Sequence, residues 1–179
     1  MKKTYKRTGF DAVKLFLLHQ GYKFLIAVVL LAILFLYVIG FSVVSGNSMN
    51  NTLKSGELVI FTRIGREDCR RGDIVALRLA SGDYYIKRVL AVAGDTVDLR
   101  DGVLYINGIA ESGDYVVGTT LPENKLVTYP LTVSDGCVFT VGDNREVSVD
   151  SRDYGEVGLE QILGVIRLHC GWFYISADF

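Results

Sequence analysis

Histidine, cysteine and proline are scarce in this chain, and each scarcity narrows what it can do. There are two histidines, His19 and His169, so a nucleophile here lacks its usual base close in sequence. The three cysteines, Cys69, Cys137 and Cys170, are odd in number and contain no C-x-x-C pair. A zinc centre therefore lacks its ligand set, and at most one disulfide can form, leaving a free thiol. The two prolines, Pro122 and Pro130, both fall within 109–136, the least regular stretch, which reads as a long loop or small insertion. Internal repeats and low-complexity segments are absent. Beyond residue 45 no stretch keeps a long 3.6-residue period, which argues against a helical bundle.

Charge is also missing from one long run. Phe24–Val44 holds 21 consecutive uncharged residues, nearly all Leu, Ile, Val, Ala, Phe or Tyr. As a helix this run is about 30 Å long, enough to cross a hydrocarbon core. Before it, Lys2, Lys3, Lys6, Arg7, Lys14 and Lys23 stand against Asp11, a net +5. The whole chain carries −1, so the remainder carries −6. A basic cluster beside an apolar span, followed by an acidic domain, is not a nucleic-acid footprint. The apolar core of a cleaved signal peptide runs to about 7–15 residues, shorter than this one. The pattern predicts an uncleaved anchor over 24–44, with a cytoplasmic basic leader over 1–23 and an extracytoplasmic domain over 45–179. Leu15–Leu18, with Phe10, Val13 and Lys14, is either a short interfacial helix or a solvated leader.

Past the anchor the pattern changes to short apolar runs separated by Gly and Asp. Strands are expected at Leu58–Thr62, Ile74–Leu79, Tyr84–Ala93, Val97–Leu99, Val103–Ile106, Cys137–Val141, Val165–Leu168 and Trp172–Ile175. Leu159–Leu163 reads as a helical turn. Gly94-Asp95, Asp101-Gly102 and Asn107-Gly108 read as turns, the second a strong hairpin signal. The expected fold is mainly β: one transmembrane helix followed by a compact barrel-like or sandwich-like domain of roughly 130 residues.

Two residues invite a chemical reading. Ser48 lies in Ser45-Gly46-Asn47-Ser48-Met49, just outside the apolar run, among small residues that allow close backbone approach. Lys87 lies in Tyr84-Tyr85-Ile86-Lys87-Arg88-Val89-Leu90, in the middle of an apolar strand. Taken alone, each has a plain explanation: a turn leaving a helix, and a lysine facing solvent. Taken together, a buried lysine loses its proton readily and a neutral amine can accept one from a serine hydroxyl.

Ser45-Gly46-Asn47-Ser48-Met49-Asn50-Asn51-Thr52-Leu53 resembles the nucleophile box of type I signal peptidases, the membrane-anchored Ser/Lys proteases that remove signal peptides. Arg71-Gly72-Asp73-Ile74-Val75, Tyr85-Ile86-Lys87-Arg88-Val89 with Gly94-Asp95, and the run from Gly142 through Asp150-Ser151-Arg152 to Gly155 resemble the family's three following boxes, in order. The resemblance covers Ser45 to Gly155. It implies Ser48 as nucleophile, Lys87 as general base and Ser148 as the hydroxyl that orients the lysine. It further implies Asp150 with Arg152, and Asp143 with Arg88, as ion pairs bracing the last box. Met49, Leu53, Tyr85 and Ile86 match positions lining shallow substrate pockets that accept small side chains, as in Ala-x-Ala. The implied partners are preproteins bearing signal peptides and the lipid bilayer. No cofactor, metal or nucleic acid is implied, and the chain is expected to act as a monomer.

The chain departs from the family pattern in three places. Asn51 and Ala93 stand where proline is usual, which loosens turns without removing a reacting group. Gly46 stands where one branch has a serine that helps hold the oxyanion, so the Ser48 backbone N–H would carry more of that task. The glycine form and the short region between the lysine and final boxes fit the small, single-anchor Gram-positive-type enzymes. Two rival readings remain: a non-cleaving relative that binds a pilin or other exported subunit as an assembly factor, and a self-cleaving Ser/Lys repressor of similar β-fold. The first should have lost Ser48 or Lys87, and the second should carry a DNA-binding domain in place of the apolar run.

Overall fold

A computed structural model describes residues 9–121 and 127–171. The expected strand at Trp172–Ile175 and Pro122 lie outside the described residues. The chain divides into two units, residues 1–38 and 39–179.

In the first unit, α1 (Gly9–Ile33) continues into a π-helical turn at Leu34–Val38. Val13–Val38 is long and apolar enough to cross a bilayer by length and composition. Two expectations change here. Leu15–Leu18 is not a separate short helix, because it lies inside the one continuous helix. The helix also ends at Val38 rather than Val44, since Ile39–Val43 forms a β-strand. Hydropathy alone cannot separate the two, as the same β-branched and aromatic residues suit a membrane helix and a buried strand. Gly40 is the local reason for the switch. The Phe61 ring packs so closely that a Cβ on Gly40 would overlap it.

The second unit contains β1 (Ile39–Val43), β2 (Leu58–Thr62), β3 (Ile74–Arg78), β4 (Tyr84–Val92), β5 (Thr96–Arg100), β6 (Val103–Ile106), β7 (Ile109–Ala110), β8 (Leu131–Thr132), β9 (Cys137–Val141), α2 (Ser151–Tyr154), β10 (Val157–Gly158) and β11 (Ile162–Cys170). Seven strands form one antiparallel sheet in the order β1-β2-β11-β3-β4-β9-β10, and four form a second in the order β7-β6-β5-β8. The protein is mainly β behind one N-terminal apolar helix, as its sequence predicts. The helical turn expected at Leu159–Leu163 is a 3₁₀ turn over Leu159–Gln161, and Ile162 and Leu163 already belong to β11.

Strands β4 and β9 are covered on both faces. Val89 and Val138 join a core cluster with Val75, Leu77 and Val165, while Leu90 and Phe139 join another with Val97 and Leu104 of the second sheet. Two-sided burial explains why these strands read as unbroken apolar runs instead of alternating ones. A register shift between Val89 and Ala91 turns both Leu90 and Ala91 toward the second cluster. The hairpin turns use the residues their geometry demands. Asp101 and Gly102 have φ of 48° and 77°, and Asn107 and Gly108 have 53° and 78°, the left-handed pairs of tight two-residue loops.

Candidate active site

Lys87 occupies the middle of β4, opposite Val75 of β3. With Tyr85 and Val89 it shares the strand face that turns into the first core cluster. Its side chain is 1% exposed, and Nζ stands 5.3 Å from the centre of the Tyr85 ring. Burial pushes the amine down to about 8, against a counter-pull chiefly from Asp150 and with a further push from Arg152. A strand thus delivers an amine that can lose its proton in the neutral to mildly alkaline range.

Gly142 is where the other groups meet. Arg88, the residue after Lys87, pairs with Val141, the residue before Gly142, across β4 and β9. A Cβ on Gly142 would overlap the Ser148 Oγ and would lie 2.6 Å from the Ser48 carbonyl oxygen. The Asn144 N–H donates to that same carbonyl at 3.0 Å. Ser48 and Ser148, a hundred residues apart in sequence, therefore flank one glycine. The Ser148 Oγ is fully buried and has no hydrogen-bond partner among the described residues. An unpaired buried hydroxyl costs about 1–3 kcal/mol, a cost seldom carried except where a group has other work to do.

The charged residues around this point form two forks. Arg88 Nε and Nη2 donate to the two Asp143 carboxylate oxygens, each at 2.7 Å, and the Thr52 hydroxyl donates to Asp143 at 2.5 Å. Arg152 Nε and Nη2 donate to Asp150 at 2.8 and 2.9 Å, with both residues buried. Asp150 also caps α2. It accepts from the Arg152 N–H at 3.1 Å, while Asp153 accepts from the Asp150 N–H at 2.9 Å, which is the reciprocal box written in Asp150-Ser151-Arg152-Asp153. The second Asp150 oxygen accepts the Gly142 N–H at 2.9 Å, tying this pair to the glycine.

Beside Ser48 lies a cleft of about 460 Å³, lined by Val44, Ser48, Met49, Ala76, Tyr85 and Ile86 among others. Three of the expected pocket residues are there. Leu53 is not: it is fully buried with Val44, Met49 and Val59, beneath the cleft and out of its lining. Four-residue spacing from Met49 puts Leu53 on the same side of the turn but one layer deeper, its N–H bonded to the Met49 carbonyl at 2.8 Å. Gly46 adopts φ 84° with open space where a Cβ would project, so backbone conformation, not crowding, favours glycine there.

Residues given no role by the sequence also belong to this neighbourhood. Arg145, 1% exposed, donates Nη2 to Glu111 at 2.5 Å, and Thr52 bridges the Arg88–Asp143 fork. Arg145 lies inside the last box, but Glu111 lies in an irregular stretch with nothing local to single it out. The remaining candidates stand apart. The Cys69 thiol is pushed up to about 11 by burial, and His169 pairs loosely with Glu57 at 3.6 Å with more than half its side chain exposed. All three cysteines are free thiols, and no metal-binding cluster occurs among the described residues.

Comparison with known proteins identifies the family of the chain. Residues 17–172 match the family described as signal peptidase, peptidase S26. The chain is similar to signal peptidase I of Bacillus caldolyticus, 35% identical over 79% of this chain and 84% of that protein. It is also similar to signal peptidase IB of Staphylococcus aureus, 32% identical over 79% of this chain and 82% of that one. A crystal structure of a signal peptidase I from Enterococcus faecalis aligns at 34% identity over 55% of this chain and 97% of its own, with a TM-score of 0.48. The match runs from within the apolar helix through the β domain, and the chain belongs to the signal peptidases of peptidase family S26.

Proposed function

We propose that this protein is a signal peptidase I that cuts preproteins after small residues through a Ser48–Lys87 dyad. The observation that supports the reading is the meeting at Gly142, where the Ser48 carbonyl and the Ser148 hydroxyl touch one glycine, next to the Arg88–Val141 pair that joins the lysine strand to this turn. The neutral Lys87 amine accepts the Ser48 proton as Oγ attacks the scissile carbonyl. The amine then passes a proton to the departing amino group, leaving an acyl-enzyme. Water, deprotonated by the same lysine, attacks the ester carbon and releases Ser48 Oγ with its proton. Ser148 orients the lysine, a task that a carboxylate performs for histidine in other serine proteases. With glycine at 46, the Ser48 backbone N–H is the chief donor to the developing oxyanion.

Met49 and Ile86 line the cleft and belong to one apolar cluster, which supports an uncharged side chain before the cut; the preference for small ones follows from the resemblance. The basic leader on one side of the apolar helix fits an orientation with residues before the helix in the cytoplasm and the β domain outside. A substrate held in the same membrane by its own signal sequence meets this site at a raised effective concentration, so a modest grip suffices.

The deciding experiment incubates the detergent-solubilised chain with a signal-peptide substrate. The parent should cut after a small residue, Ser48→Ala should abolish cleavage, and Ser148→Ala should lower turnover by roughly 10²–10³-fold. A parent that binds the substrate without cutting it would instead be a non-cleaving assembly factor.

A further inference from the structure

Glu111 belongs to a stretch, Glu111–Thr120, that the dyad reading leaves without a task, yet this stretch is fastened to both halves of the site. On the nucleophile side, the Asn51 side-chain amide donates to the Asp114 carbonyl at 2.6 Å, three residues beyond Ser48. On the other side, Val117 bridges Asn144: its N–H donates to the Asp143 carbonyl and its carbonyl accepts the Arg145 N–H, both at 2.8 Å. Between these ties the Tyr115 ring lies under the Arg88 guanidinium, 4.1 Å away, and its hydroxyl donates to Glu111 at 3.1 Å.

Arg145 joins the stretch to Gly142. Its Nη2 donates to Glu111 at 2.5 Å, Nη1 to the Thr120 hydroxyl at 2.9 Å and Nε to the Gly142 carbonyl at 3.0 Å. The guanidinium is 1% exposed and the Glu111 side chain 6%. Without its carboxylate, the buried cation would stand uncompensated and would be drawn toward water, away from the Gly142 carbonyl. Gly142 is the residue against which Ser48 and Ser148 are both packed, so its backbone position sets theirs.

We propose that Glu111–Thr120 is a strap that fixes Ser48 relative to Ser148 and Lys87, and that Glu111 is its positioning residue, acting through Arg145 on the Gly142 backbone. This rests on the Ser48–Lys87 reading. A buried ion pair far from the cleft could serve stability alone. Here one of its arms ends on the glycine that separates the two serines, so its loss misplaces reacting groups while the cleft residues of β1, β3 and β4 stay as they are.

The test uses the full chain in detergent with two readouts: kcat and KM on a signal-peptide substrate, and the rate at which p-nitrophenyl acetate acylates Ser48. Glu111→Gln keeps the shape and removes the charge. It should lower kcat and acylation by about 10–100-fold, the scale of a small misplacement of reacting groups, with KM unchanged within about twofold. Because Glu111 acts through Arg145, the double variant with Arg145→Gln should be no slower than Arg145→Gln alone. Unchanged kcat, a loss confined to KM, or multiplying effects in the double variant would each overturn the proposal. Should Glu111→Gln fail to fold, Asn51→Gly decides. Glycine accepts the positive φ of 93° that Asn51 adopts and removes the amide tether. A several-fold lower kcat at constant KM supports the strap, and parental kcat overturns it. A parent that is acylated but never cuts the peptide would refute the peptidase reading, while the acylation rates of the variants still judge the strap.

Discussion

At the scale of single residues, Lys87 has the most at stake. Loss of solvent around its amine is the main cause of its descent from 10.5 to about 8, and the Asp150 carboxylate opposes it. At pH 7 roughly a tenth of such an amine is free base, against far less than a hundredth for an exposed lysine. The acid limb of kcat/KM should therefore fall near pH 8, and the limb of kcat lower still, since bound substrate excludes more water. Lys87→Arg keeps a cation that stays protonated in this range and should be inactive though folded. Lys87→Met should be equally inactive but more stable. The folded amine binds its proton less tightly than the unfolded one, so the parent gains stability as pH rises from about 8 to 10.5. Below that window Lys87→Met should exceed the parent by on the order of 3 kcal/mol, and the gain should vanish as pH climbs through it. Denaturant unfolding at pH 7 and pH 10 checks this; a pH-independent difference would show that burial of the cation is not the cause. Activity in Lys87→Arg would remove Lys87 from the base role and make His169 the next residue to test.

At the scale of elements, the turn that follows β9 is the most tightly held part of the site. Gly142 donates to Asp150, accepts from Arg145 and abuts both serines, while Arg152 donates to the Arg145 and Ser148 carbonyls at 2.8 and 3.1 Å. A side chain has nowhere to go. Gly142→Ala should push Ser148 and the Ser48 loop apart, lowering kcat by at least about 10²-fold and costing roughly 1–3 kcal/mol of stability. Cleavage assays and thermal melting of the variant measure both. Parental turnover would mean that Ser48 and Ser148 do not share this glycine. The same logic places Gly40 under Phe61, where the chain leaves its helix and enters the sheet.

At the scale of the whole molecule, two units carry separate tasks. Residues 1–38 contain an apolar helix with none of its span buried, and residues 39–179 contain the sheets and every member of the site. With the basic leader inside, protease added to intact spheroplasts should digest the β domain and leave the helix protected. Digestion only after lysis would reverse the orientation and set the site on the wrong side for an exported substrate. Lysis should add only cleavage of the basic leader if the proposed topology holds.

The sequence by itself determined the anchor-like helix, the mainly β domain, most strands and the tight hairpins, because these are local. Alternation of apolar residues, Asp-Gly and Asn-Gly pairs and a charge-free run act within a few residues of where they are read. The box resemblance also named Ser48, Lys87 and Ser148 and paired Arg88 with Asp143 and Arg152 with Asp150. What only the tertiary structure decided depends on residues far apart in the chain. Ile39–Val43 becomes a strand because β2 stands ready to pair with it and the Phe61 ring covers Gly40. Leu53 drops from the cleft into the core because Val44, Met49 and Val59 close over it. Glu111 meets Arg145, 34 positions later, only when the irregular stretch crosses the last box. No periodicity or local propensity records such contacts, since the energy that selects them is burial and charge pairing between segments that meet only on folding.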